Sequence, residues 1–303
     1  MYIAPIAKIA VASGVCIHQY ADDTQLYIKF TANEGGSKTL VVLENCTDAI
    51  SDWMLHNGLA LNPPKSEVIE FGKAQALHKS NIQDFNVAGN VIAVSDQIKS
   101  LGVVLDKRLS FNAQVNRTCK TIPYHARSFR HIRNSLLDIL ARTVASWIIS
   151  RLEYCNSLLV GTAQTNVIKL QRAQNSIACI VTGTSRFDHI QPVLKELHWL
   201  PVDCRIKFEV AMLVYKIRQT DRPAHLSDFI HERAAERASR SSNMHHMELP
   251  RRKLETGKRA FSYAAPTIWN NLPQKICQTD LASVSLSSFK KQLKTHFFSI
   301  AYS

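Results

Sequence analysis

The chain has 303 residues, 46% hydrophobic and 20% charged, with 37 Lys+Arg against 24 Asp+Glu and a formal net charge of +13. That composition excludes a disordered or collagen-like chain and leaves room for one large domain or two smaller ones. Its seven cysteines, at 16, 46, 119, 155, 179, 204 and 277, are scattered with no Cys-x-x-Cys pair. This excludes a disulfide framework or zinc finger and fits free thiols in a reducing, intracellular compartment.

The start, Met1 to Val15, is apolar but is broken by Lys8, Ser13 and Gly14. It reads as the end of a helix rather than a signal peptide or membrane span. Cys16, Ile17 and Tyr20 then favour a strand, and Leu26, Tyr27, Ile28 and Phe30 a second one. Between them lies Tyr20-Ala21-Asp22-Asp23, an acidic pair at the tip of an expected β-hairpin. Adjacent carboxylates repel, and a divalent cation relieves that repulsion.

After a loop at 31–37 a helix is expected over 38–57, with Leu40, Leu43, Ile50, Trp53 and Met54 as its apolar stripe and Asn57-Gly58 as its stop. The stretch 59–65 is irregular, and 66–72 reads as a strand. A hairpin follows, 85–87 and 91–94 around Ala88-Gly89-Asn90, then a strand over 100–105. Beyond Phe111 the pattern turns helical, with helices expected at about 112–134, 138–154, 165–182, 205–218 and 287–298. The segment 232–259, with 8 basic and 4 acidic residues, reads as a solvated loop. Its densest cluster, Arg251-Arg252-Lys253, is either a phosphate contact or part of a plain linker.

Charge divides unevenly along the chain. Residues 1–120 hold 11 basic and 11 acidic side chains, so 121–303 carry the whole +13. A basic region of this kind suits nucleic acid or an anionic surface. The expected class is α+β: antiparallel strands with a helix over 1–110, a helical region over 111–200, and a second helical region over 201–303 that includes the basic loop.

Several segments, taken in order, resemble the reverse transcriptases of non-LTR (LINE-type) retrotransposons. Tyr20-Ala21-Asp22-Asp23 looks like their Y/F-x-D-D motif C. Leu59-Ala60-Leu61-Asn62-Pro63-Pro64-Lys65-Ser66-Glu67 resembles motif D, with Ser66 in place of Thr and Pro64 in place of Asp. Ser100-Leu101-Gly102-Val103-Val104-Leu105-Asp106 resembles the palm strand called motif E. Leu197-His198-Trp199-Leu200-Pro201-Val202 and Trp269-Asn270-Asn271-Leu272-Pro273 look like segments that follow the polymerase in that class. The likeness runs over essentially the whole chain and implies a partial polymerase palm, a helical thumb and a helical C-terminal region.

The resemblance also implies RNA-directed DNA polymerisation on an RNA template and DNA primer, with Mg²⁺ as cofactor and two metals assisting nucleotidyl transfer. Asp22 would be the metal ligand and Asp23 a second acid. Lys65 would serve as the acid for departing pyrophosphate, Ala21 would let the primer sugar approach, and Tyr20 would support the turn. On charge, apart from the resemblance, Arg251, Arg252 and Lys253 are the candidate nucleic-acid contacts. No membrane and no obligate protein partner are expected. In that family a further metal-binding Asp and the residues that place the nucleotide precede the helix beginning here at Tyr2, and no acid lies before Asp22. The chain on its own is therefore expected to be inactive. The other reading is a non-catalytic, basic nucleic-acid-binding remnant.

Overall fold

The computed structural model describes residues 2–31, 37–80, 82–185, 187–232, 246–277 and 284–303. They form a mixed α+β chain of small antiparallel hairpins followed by helices, in two units, Met1–Ala113 and Gln114–Ser303.

In the first unit, helix α1 (Pro5–Ala12) begins with Pro5 in its first turn, where the missing N–H costs nothing. It ends at Gly14, whose φ of +72° is the left-handed value that glycine adopts freely. Strands β1 (Cys16–Tyr20) and β2 (Asp23–Tyr27) follow as one antiparallel pair. Helix α2 (Ser37–His56) closes over them and stops where expected, with the Leu59 amide donating to the Met54 carbonyl at 2.9 Å. Ile6 and Ala10 of α1, Val15, and Cys46 and Ile50 of α2 make a small core, against which Ile17 and Leu26 pack from the inner face of the hairpin. The Tyr2 hydroxyl donates to the Asn57 carbonyl at 2.8 Å, tying the chain's start to the end of α2.

The rest of that unit departs from the sequence expectation in two places. Residues 66–72 do not form a strand; Val68 makes one isolated parallel bridge to Val94. A short helix, α3 (Ala74–Ser80), follows that segment. The hairpin β3 (Asp84–Val87) and β4 (Asn90–Ala93) forms as expected. The single strand expected over 100–105 is instead split: β5 (Gln97–Ser100) and β6 (Val103–Asp106) pair around Leu101-Gly102, with φ of 45° and 83°. Positive φ at both central residues is the pattern of a type I′ turn, and a run read as β-forming conceals it because Leu101 is no turn former. The Asp106 carboxylate then reverses the chain. It accepts from the amides of Ser110 at 2.9 Å and Phe111 at 2.8 Å, just ahead of helix α4 (Asn112–Ile132).

The second unit is helical. Helices α5 (Asp138–Glu153) and α6 (Gln164–Thr182) follow α4, then α7 (Ile190–Glu196), α8 (Val202–Thr220) and α9 (Ala224–Ser227). After the segment outside the described residues come α10 (Glu255–Lys258), α11 (Phe261–Asn270), α12 (Gln274–Cys277) and α13 (Leu286–Tyr302). Helix α8 is the axis of the core, as its apolar sequence predicts. Tyr215 of α8 stacks on Phe289 of α13 with centroids 4.0 Å apart, and Trp269 of α11, fully buried, lies 5.9 Å from the same Phe289.

Two connections are held by polar atoms as well as by apolar packing. At Leu197–Val202 the Gln171 side chain accepts from the Val202 amide at 2.8 Å, and the Gln174 side chain donates to the Leu200 carbonyl at 2.9 Å. Asn270 brackets Met247: its Oδ1 accepts from the Met247 amide and its Nδ2 donates to the Met247 carbonyl, both at 2.9 Å. Met247 itself is 2% exposed. The stretch 232–259, expected to be a solvated loop, therefore sends an anchor into the core, and 255–258 is helical. Residues 233–245 of that stretch and 32–36 of the earlier loop lie outside the described residues.

Candidate functional site

The register of the first hairpin sets the site. Cys16 pairs with Tyr27, His18 with Gln25 and Tyr20 with Asp23, leaving Ala21-Asp22 as a two-residue turn. Only Ala21, the first central residue, has positive φ (55°), the pattern of a type II′ turn, where glycine is the usual occupant. A Cβ in that region is strained, and such residues gather at functional sites. The other two-residue hairpin turns both contain glycine, at Gly89 and Gly102.

Alternation sorts the strands into two faces. Ile17, Gln19, Thr24 and Leu26 turn inward, whereas Cys16, His18, Tyr20, Asp23, Gln25 and Tyr27 are exposed together. The outward face is polar and aromatic. His18 and Tyr27 stack at 5.2 Å, with Nε2 and the phenol oxygen 3.2 Å apart. Partial burial, then the neighbouring Cys16, push the Tyr27 phenol up from its ordinary range. The Gln25 side chain reaches the Ser100 hydroxyl at 2.5 Å. On the inner face the Thr24 hydroxyl is buried with no hydrogen-bond partner among the described residues. The sheet has two strands, and among the described residues no third strand joins either edge.

Asp22 and Asp23 are both exposed at the tip, and among the described residues neither carboxylate is hydrogen-bonded or ion-paired. Tyr20 is 69% exposed beside them. Lys65 ends the 3-10 turn Pro63–Lys65 and is exposed, with no bond to either Asp among the described residues. Arg251, Arg252 and Lys253 are also exposed and belong to the other unit. The structure thus places Tyr20, Ala21, Asp22 and Asp23 on one turn and, among the described residues, does not join Lys65 to it.

Hard carboxylate oxygens suit Mg²⁺, so the pair fits the metal in kind. In number it provides two donors, and among the described residues no cluster of three or more His, Cys, Asp or Glu is arranged to hold a metal. From sequence Tyr27 is legible only as a strand former, and His18 carries no assigned role. Their signal was the period-2 alternation that puts both on the face of Tyr20 and Asp23.

No helix among the described residues is long and apolar enough to cross a membrane. No protein-family model, no curated protein and no solved structure matches the chain.

Proposed function

We propose that this chain is a portion of an RNA-directed DNA polymerase of the non-LTR retrotransposon type, with the β1–β2 turn as its metal-holding element. The observation that carries the reading is the turn itself. A Tyr-Ala-Asp-Asp sequence forms a tight hairpin tip with both carboxylates in solvent and, among the described residues, without a partner. Asp22 and Asp23 would hold Mg²⁺, which when bound neutralises phosphate charge and lowers the pKa of an attacking hydroxyl. Ala21 keeps the turn small enough for a sugar to approach. Lys65 remains the acid assigned to the leaving pyrophosphate, and Arg251, Arg252 and Lys253 the phosphate contacts.

Primer extension on a homopolymer template with Mg²⁺ or Mn²⁺ tests the reading. Two carboxylates alone leave the nucleotide unplaced, so the 303-residue chain is expected to incorporate nothing. Incorporation that vanishes in Asp22→Ala would prove the polymerase and refute the incompleteness. The metal site has its own readout: Tb³⁺ bound at the turn should show emission sensitised by Tyr20, displaced by Mg²⁺ and lost in Asp22→Ala. Absence of that emission in the parent chain would remove the metal assignment.

A second reading, a basic nucleic-acid-binding remnant without catalysis, is favoured by one fact. The whole +13 sits in 121–303, where Arg251, Arg252 and Lys253 are exposed. Binding that weakens steeply with added salt is its expected mark.

A further inference from the structure

Helix α4 contains Arg117, Lys120, Arg127 and Arg130 and no Asp or Glu. Its residues 117, 120, 124, 127 and 131 follow one another at intervals of three and four, so Arg117, Lys120, Tyr124, Arg127 and His131 line one face; all five are exposed. The opposite face, with Val115, Ile122, Ala126 and Phe129, is buried and holds the helix in place.

The exposed face continues onto α5. His125 makes edge-on contacts with Tyr124 on one side and with Trp147 of α5 on the other, each at 5.3 Å. The Arg151 guanidinium sits over the Trp147 ring, 4.9 Å from its centroid. Burial, then Arg151, lower the His125 pKa, so this imidazole is a neutral spacer at physiological pH and the charge of the face comes from Arg and Lys. Tyr124 is 66% and Trp147 57% exposed, far more than these rings show when they serve a core.

Neither helix offers an unengaged acid to compensate that charge. The two acids of α5 are engaged, Asp138 by Arg133 at 2.6 Å and Glu153 by Arg205. Among the described residues Arg117, Lys120, Arg127 and Arg151 form no ion pair.

Exposed rings set among uncompensated cations match a polyanion that also offers planar, apolar surfaces. Single-stranded nucleic acid has both: phosphates for Arg and Lys, and bases that stack on Tyr, Trp or a guanidinium plane. We infer that the α4–α5 face, built from Arg117, Lys120, Tyr124, Arg127, Trp147 and Arg151, binds a stretch of unpaired nucleotides by stacking and phosphate contact. The inference rests on the nucleic-acid reading of the basic region, but it needs neither the Asp22-Asp23 turn nor the Arg251-Arg252-Lys253 cluster. A paired duplex hides its base faces, so this surface prefers single strands.

Fluorescence anisotropy of a short labelled oligouridine against the full chain tests it. Tyr124→Leu and Trp147→Leu are each expected to weaken binding about tenfold, while Tyr124→Phe keeps it. Arg117→Gln with Arg127→Gln should flatten the salt dependence. An RNA duplex of equal length should bind more weakly than the single strand. Both Leu variants spare the core, and circular dichroism checks that they fold. If they bind like the parent, or if duplex binds as tightly, the inference falls. If the parent binds but only the Arg251→Gln, Arg252→Gln, Lys253→Gln triple variant weakens it, nucleic-acid binding stands and this face is not its site. If the parent does not bind at all, both fall. Displacement of the oligonucleotide by polyglutamate at matched charge would assign the face to an acidic protein segment instead.

Discussion

The two units are built on different terms. Among the described residues of 2–113 the strands pair only as hairpins, two at a time, and the core under the first hairpin is five buried residues with a partly buried border. In 114–303 the helices surround Tyr215, Trp269, Phe289, Leu293 and Phe297, and even polar connections are locked from within. Isolated two-stranded hairpins are marginal in water, whereas large buried aromatics supply much of a domain's stability. The candidate chemistry thus sits on the less buried unit, and the robust unit carries the charge.

The comparison is broken most directly by attacking the aromatic core. Trp269→Ala removes a fully buried indole and is expected to cost about 3–5 kcal/mol, read from chemical denaturation of the helical unit. Hydrogen exchange should then accelerate at α8 and α13. If exchange at 16–27 accelerated by the same factor, the two units would not be separate in stability. The next effect is smaller. Asn270→Ala deletes both bonds to Met247 and should cost roughly 1–3 kcal/mol. Asn270→Asp keeps the acceptor for the Met247 amide and sets a carboxylate oxygen against its carbonyl, so it should be no milder than Ala.

Alkaline pH sharpens the contrast by a different route. Burial pushes the Cys277 thiol up to about 11 and the Tyr302 phenol up to about 12. Both groups are held in their neutral, protonated form in the fold. A raised folded-state pKa means that their contribution is complete below the unfolded value, which is 9.0 for the thiol. It is lost as pH rises from there through the folded value. The melting temperature of the helical unit should therefore fall between pH 9 and 11, and Cys277→Ala should flatten that fall. An unchanged slope in Cys277→Ala would locate the alkaline sensitivity elsewhere.

How far the sequence shows these features depends on the range of the interaction behind them. Helices α2, α5, α6 and α8 follow from apolar periodicity, a local signal that tertiary packing here reinforces. The hairpin at Asp22-Asp23 is legible for the same reason, since strand-forming runs flank a charged turn. The split at Leu101-Gly102 is not, because Gly102 lay inside a run of β-formers and only pairing of Gln97–Ser100 with Val103–Asp106 reveals the turn. Nor is the burial of Met247, which depends on Asn270 some twenty positions later. The acidic turn is legible as a motif, yet its geometry with Lys65 is set by long-range packing that spacing does not encode. Along α4 the recurrence of basic residues at helical intervals is a local pattern beyond the helix expected at 112–134; the meeting of that face with Trp147 is tertiary.

The smallest expected effect lies at the tip that bears the acids. Ala21 holds a φ of 55°, which for a residue with a Cβ costs about 1–2 kcal/mol. Ala21→Gly removes that strain but frees the unfolded chain by about 0.4–1 kcal/mol, so the net gain should lie between about 0 and 1.6 kcal/mol. Ala21→Val adds a β-branch where none is tolerated and should cost more than the Gly variant gains. Amide exchange at Tyr20 and Asp23, the pair that closes the turn, and at His18 and Gln25 reads the difference: slower in Gly than in Val, with the parent between. An inverted order would mean that the turn is not held in the left-handed conformation. The two carboxylates would then share no fixed geometry for a metal.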